Sequence, residues 1–195
     1  QILTPIMSYT LNLILGAISV SAVTAYGVYY KLQNFIFMPG YGLNNASIPI
    51  ISYNFGARNK QRVSQTVRYG LIYVSVIMLI GIALLQHFAR QIVGIFSVTE
   101  ESHQLCVLAL RIITCGFFFA GANIILQGVC QALGKGIYSL VISLLRFIVL
   151  VLPMAWALSL TENAASLVWL SLPVAEAGAC VAAILLTRKI YRKAL

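Results

Sequence analysis

The sequence predicts an all-α, polytopic membrane protein with six transmembrane helices, and three observations carry that prediction. The chain of 195 residues is 61% hydrophobic and only 9% charged, with a mean hydropathy of +0.93. Soluble domains carry about a quarter charged residues, so this composition lies outside their class. Apolar runs near the roughly 20 residues that cross a hydrocarbon core recur along the whole length. The net charge of +9 sits in short clusters between those runs, where positive residues anchor membrane loops. That placement disfavours a nucleic-acid face, which gathers its basic residues in one stripe.

The six spans are read at 2–20, 23–50, 66–88, 104–132, 137–160 and 164–187. The first is short, as though the chain begins inside it. With Gln1 at the start and no secretory leader ahead of the apolar run, the expectation is a fragment with its upstream part missing. The second contains Gln33, Asn34, Asn44 and Asn45, and is interrupted by Pro39, Gly40, Gly42 and Pro49. Proline removes a backbone donor, and lipid tolerates the break only where protein or a water-filled cavity satisfies the freed groups. The four amides are therefore candidates for lining a substrate cavity, with hydrogen bonding between helices as the alternative. The stretch GARNKQRV that follows reads as a basic loop, with Gly56 ending the helix in a left-handed conformation.

The third span is a plain apolar run. In the fourth, Asn123, Gln127 and Gln131 recur every four residues below Gly116 and Ala120, and so share one helix face. A stripe of amides and small residues faces protein or water; the three amides join the substrate-cavity candidates. The fifth and sixth spans each carry a charge at depth. Arg146 lies roughly 13 Å, and Glu176 roughly 16 Å, from the same side at 1.5 Å per residue. Similar depth makes them a candidate buried ion pair, a device that fixes register or switches with conformation rather than one that adds stability. Ala175, Ala179 and Ala183 put small side chains at four-residue spacing on the sixth helix, which lets helices approach closely.

Nine of the thirteen basic residues follow the second, fourth and sixth spans, and the opposite loops hold only Arg90 beside Glu100, Glu101, His103 and Glu162. Both ends are therefore expected on the cytoplasmic side of the inner membrane. Lys31 and Arg111 fall in the outer thirds of their spans and are expected to snorkel outward. Tyr9, Tyr26, Tyr29 and Tyr30 are expected as interface anchors. Cys106, Cys115, Cys130 and Cys180 lack paired spacing and are expected to be inert buried thiols. His87 and His103 have no second ligand at metal spacing, and no nucleophile, zinc or phosphate-loop motif occurs, so neither catalysis, nor a metal, nor a cofactor is expected.

Three blocks carry a family resemblance. MPGYGLNNASIPIISYNFGARN, with Gly42, Leu43, Ala46, Pro49, Ile50, Asn54, Gly56 and Ala57, resembles the second helix of a lobe in multidrug and toxic compound extrusion (MATE) transporters. QALGKGIYSLVISLLRFIVLVLP matches that family at Gln131, Gly134, Lys135, Arg146 and Pro153. VWLSLPVAEAGA resembles the opening of its last helix through Trp169, Pro173, Ala175 and Glu176. The order implies a carboxy-terminal lobe of a twelve-helix, two-lobe transporter, with the amino-terminal lobe as partner. The resemblance implies export of cationic or amphipathic compounds by proton or sodium antiport, with substrate held between the lobes. The spans at 2–20 and 104–132 lack the acidic residues of the family's sodium site, which points to the DinF-like branch and leaves no coupling residue named in this chain. Two alternatives stay open: a flippase of lipid-linked saccharides from the same superfamily, which asks for cations such as Lys31, Arg111 and Arg146 around the cavity, and a truncated membrane module without transport.

Overall fold

A computed structural model describes residues 3–194, with side chains to Tyr191. Its elements in order are α1 (Leu3–Ile18), α2 (Val20–Gly56), α3 (Lys60–Gly94), α4 (Glu100–Thr114), α5 (Phe117–Ala132) and α6 (Gly136–Leu144). A π-helical segment (Leu145–Val151) leads into α7 (Leu152–Ser159), and then α8 (Ala164–Leu167), a 3-10 turn (Val168–Leu170) and α9 (Ser171–Ala194) complete the chain. Of the six spans read from the sequence, three, in α3, α6–α7 and α8–α9, are long and apolar enough to cross a membrane, and α4 with α5 makes a fourth when taken as one bent span. The remaining two fall short for different reasons: α1 has 16 residues, whereas α2 has 37 but is diluted by its amides, glycines and Lys31.

Several elements depart from the sequence reading. The second helix was expected to break near its prolines, yet α2 runs through Pro39 and Pro49 for about 55 Å. Both prolines are exposed, so their rings meet no neighbour, and each leaves one carbonyl, on Phe35 and on Asn45, without its helical donor. The expected basic loop is short. Helix α3 already begins at Lys60 because the Asn59 side chain accepts from the Arg62 N–H at 3.0 Å. Nor does Gly56 supply the left-handed residue: Arg58 does, at φ 55°, while the N–H of Asn59 reaches back to Asn54 at 2.9 Å and that of Arg58 to Phe55 at 3.0 Å. The equivalent position after α5 is Gly134, at φ 70°.

The fourth span also differs from a single rod. It bends by 50° between α4 and α5, at Cys115 and Gly116. A Cβ on Gly116 would lie 2.8 Å from the Cα of Pro173, so glycine lets α9 press against the bend. Helix α3 has a smaller fault at Phe88, whose φ of −102° and ψ of 15° leave the helical region.

Two apolar clusters hold the bundle. The larger includes Leu11, Leu15, Met78, Leu110, Phe117 and Trp169, all under 3% exposed. The smaller packs Ile51, Val63, Val129, Leu133 and Ile142 at the basic end. Ala175, Ala179 and Ala183 are wholly buried, and bonds from Asn123 to Glu176 and between Cys130 and Thr187 tie α5 to α9 in a parallel pair. By contrast Ile72, Val76, Leu79, Ile80 and Leu84 on α3 are exposed apolar side chains, a surface suited to lipid.

Candidate functional site

Helix α2 sends one face into a recess closed by α1, the π-helical segment and α9. Tyr26, Tyr29, Tyr30, Gln33, Phe37 and Tyr41 fall at spacings of three, four and seven residues, so they share that face. Beyond them lie Arg146 and Phe147 on the π segment and Glu176 on α9. The enclosed volume is about 40 Å³. Tyr26 donates to the Ser8 hydroxyl at 3.2 Å, which fixes α1 against α2.

The recess floor is ionic. Arg146 Nε lies 3.3 Å from Glu176 Oε1, with the two side chains 11% and 14% exposed. Asn123 Nδ2 donates to Glu176 Oε2 at 3.0 Å and to the Glu176 carbonyl at 3.1 Å. Both carboxylate oxygens thus have a partner, which a desolvated charge requires. The Arg146 guanidinium also lies 4.2 Å from the centre of the Phe147 ring. This residue sits one position inside the π-helical turn. Pro153 has no N–H for the carbonyl four residues earlier, and the Leu152 N–H reaches back five residues to Phe147.

The expected candidates separate into two groups. Gln33 and Asn34 line the recess. Asn44 is half-buried and lies hard against Gly128, where a side chain would displace it, while Asn45 is exposed. None of these four makes a side-chain hydrogen bond among the described residues. On α5, Asn123 is fully buried, and Gln127 Oε1 accepts from Ser143 at 2.9 Å and from Ser139 at 3.3 Å. Gln131 donates to Ser139 at 3.1 Å. The α5 amides thus engage neighbouring helices rather than open space.

Other expectations change with the geometry. Tyr26 and Tyr29 are 2% and 5% exposed, so they are core residues at the recess rather than interface anchors; Tyr9, at 68%, remains on the surface. The tyrosine face was missed although its helical spacing is visible in the sequence. Cys115 is exposed at the bend while the other three thiols are buried. Lys31 lies outside the recess, 5.8 Å from the Phe96 ring centre, and Arg111 is exposed on α4. Of the three cations a saccharide flippase would ask for, Arg146 alone lines the recess. Among the described residues no three His, Cys, Asp or Glu side chains gather as a metal site.

The family profile described as MatE matches residues 1–157. The chain belongs to the MatE family. Over 186 residues it is 24% identical to the multidrug export protein MepA of Staphylococcus aureus, covering 95% of this chain and 41% of that protein. A relative of the same name from Staphylococcus saprophyticus is 25% identical over the same share. The MatE chain thus spans about two fifths of the length of these curated relatives. Among solved structures, the Vibrio cholerae MATE transporter VcmN in its bent form superposes with a TM-score of 0.92 at 24% identity, covering 100% of this chain and 44% of that one. A MATE protein in complex with MaL6 gives 0.93 at 18% identity, again over 100% and 44%. At these identities the likeness speaks for the fold, which is one lobe of an all-α MatE transporter.

Proposed function

We propose that this MatE chain works as the carboxy-terminal half of a secondary transporter, exporting cationic or amphipathic compounds across the inner membrane by proton or sodium antiport. The other wall of the path is an amino-terminal lobe of the same transporter, and both ends of this segment face the cytoplasm. The observation that carries the reading is the α2 face. It presents aromatic rings together with Gln33 and Asn34, amides that bond nothing else among the described residues. Such a mixture suits amphipathic cations, which aromatic faces attract. The recess of about 40 Å³ is far below the roughly 300 Å³ of a drug-sized site. A substrate therefore needs a second lobe to complete its enclosure, as in transporters that rock two repeats about a central site.

Glu176 is not assigned the coupling role. Arg146 and Asn123 already hold its two oxygens, and a coupling carboxylate must be free to exchange its ion. The coupling ion is assigned to the partner lobe. The test is ethidium efflux from loaded right-side-out vesicles carrying the two-lobe transporter, with a proton or sodium gradient imposed in turn. Efflux driven by one gradient and retained in Asn123→Ala supports the reading. Absence of flux under both gradients would turn it to a membrane module without transport.

A further inference from the structure

We propose that the groove between the basic end of α3 and the end of α9 holds one anionic glycerophospholipid. The groove is an open depression of about 360 Å³ lined by Ser64, Val67, Arg68, Leu71, Ile72 and Tyr191. It lies apart from the recess beneath α2 and shares no residue with it.

Its chemistry changes along its length. Lys60, Ser64, Arg68 and Ile72 recur every four residues on α3, a single stripe that spans roughly 18 Å. The first three are polar or cationic; the last is an exposed isoleucine. Val67 and Leu71 form the adjoining row and continue the smaller apolar cluster. A cationic entrance leading to an apolar floor fits a phosphate head with an acyl chain behind it. A free phosphate would use the entrance and leave the floor bare, which is why the lipid is the occupant chosen.

Two observations point to an anion at the entrance. The Tyr191 hydroxyl is buried yet has no hydrogen-bond partner among the described residues. Buried hydroxyls are ordinarily satisfied, and a phosphate oxygen is the acceptor a phenol would take. Among the described residues Arg68 has no acidic partner either. Glu100 and Glu101 begin α4, Glu162 precedes α8, and Glu176 is already paired with Arg146. Arg188, three residues before Tyr191 on α9, adds a further exposed cation on the neighbouring face. Basic pockets between transmembrane helices recognise anionic head groups in this way.

The experiment is native mass spectrometry of the full chain, stripped of lipid in detergent and titrated with dioleoyl phosphatidylglycerol, then with dioleoyl phosphatidylcholine. One phosphatidylglycerol is expected to be retained in preference. Arg68→Gln should weaken it about tenfold and Tyr191→Phe about threefold. Arg68→Lys should keep most of the binding, and Arg90→Gln, the same charge change at the other end, should leave it unchanged. The far-UV helical signal checks that each variant is folded. Equal retention of both lipids would overturn the proposal. So would displacement by millimolar inorganic phosphate, which marks a free-anion site, or an Arg90→Gln loss as large as that of Arg68→Gln.

Discussion

Helices α2 and α5 lie side by side and carry amides of the same kind, yet one set bonds to neighbouring helices and the other does not. On α5, Asn123, Gln127 and Gln131 meet a carboxylate and two serines four residues apart, Ser139 and Ser143. Gly116 lets α9, the helix of Glu176, approach through Pro173, whereas Gly121 and Gly128 sit against α3 and α2. On α2, Gln33 and Asn34 line the recess among tyrosine rings, Asn44 packs against Gly128 and Asn45 is exposed, and none of them bonds a neighbour among the described residues. An amide stripe thus announces a helix that avoids lipid. What it bonds is decided by the opposite surface.

The largest test of this contrast is Glu176→Ala, which leaves Arg146 buried without its counter-charge and leaves Asn123 only the backbone carbonyl of residue 176 as acceptor. A loss of about 3–5 kcal/mol is expected in denaturant titration of the detergent-solubilised chain. Replacing both Arg146 and Glu176 with Met should recover most of that loss, since a buried pair contributes little net stability beyond its own desolvation. Next comes Gln127→Ala, which removes the acceptor of Ser139 and Ser143. It should cost about 1 kcal/mol in the same assay, the scale of hydrogen bonds between membrane helices. The smallest effect on stability belongs to Asn34→Ala and Asn45→Ala, within about 0.5 kcal/mol. These same two are expected to lower ethidium efflux several-fold in the two-lobe transporter. A large loss of stability from either would erase the distinction between the helices.

Much of the architecture was legible in the apolar runs, because burial in lipid demands length and apolarity that few other environments require. The breaks were less legible. Pro39 and Pro49 advertised an interruption that does not occur, since an exposed proline costs one bond but displaces no neighbour. Cys115–Gly116 gave little sign of a 50° bend, which depends on Pro173 from a helix more than fifty residues away. The Arg146–Glu176 distance followed from matched depth, but the third member, Asn123, required knowing that α5 and α9 run together. Rotation about each helix axis is set by tertiary packing, and the tyrosine face of α2 shows how much a plain count of spacings still offers.

The π-helical turn has a consequence for chain length rather than residue identity. Between Leu145 and Val151 the helix accommodates more residues per turn than an α-helix, and the added room lies just before Pro153. Deleting one residue there would let the segment close into an ordinary α-helix, with the flanking turns still in phase but the side chains of the segment itself re-aimed. Arg146 would then swing away from Glu176 while every side chain kept its identity. A one-residue gap in this stretch would therefore do more harm than many substitutions, and relatives that differ there in length should differ in their ionic floor as well.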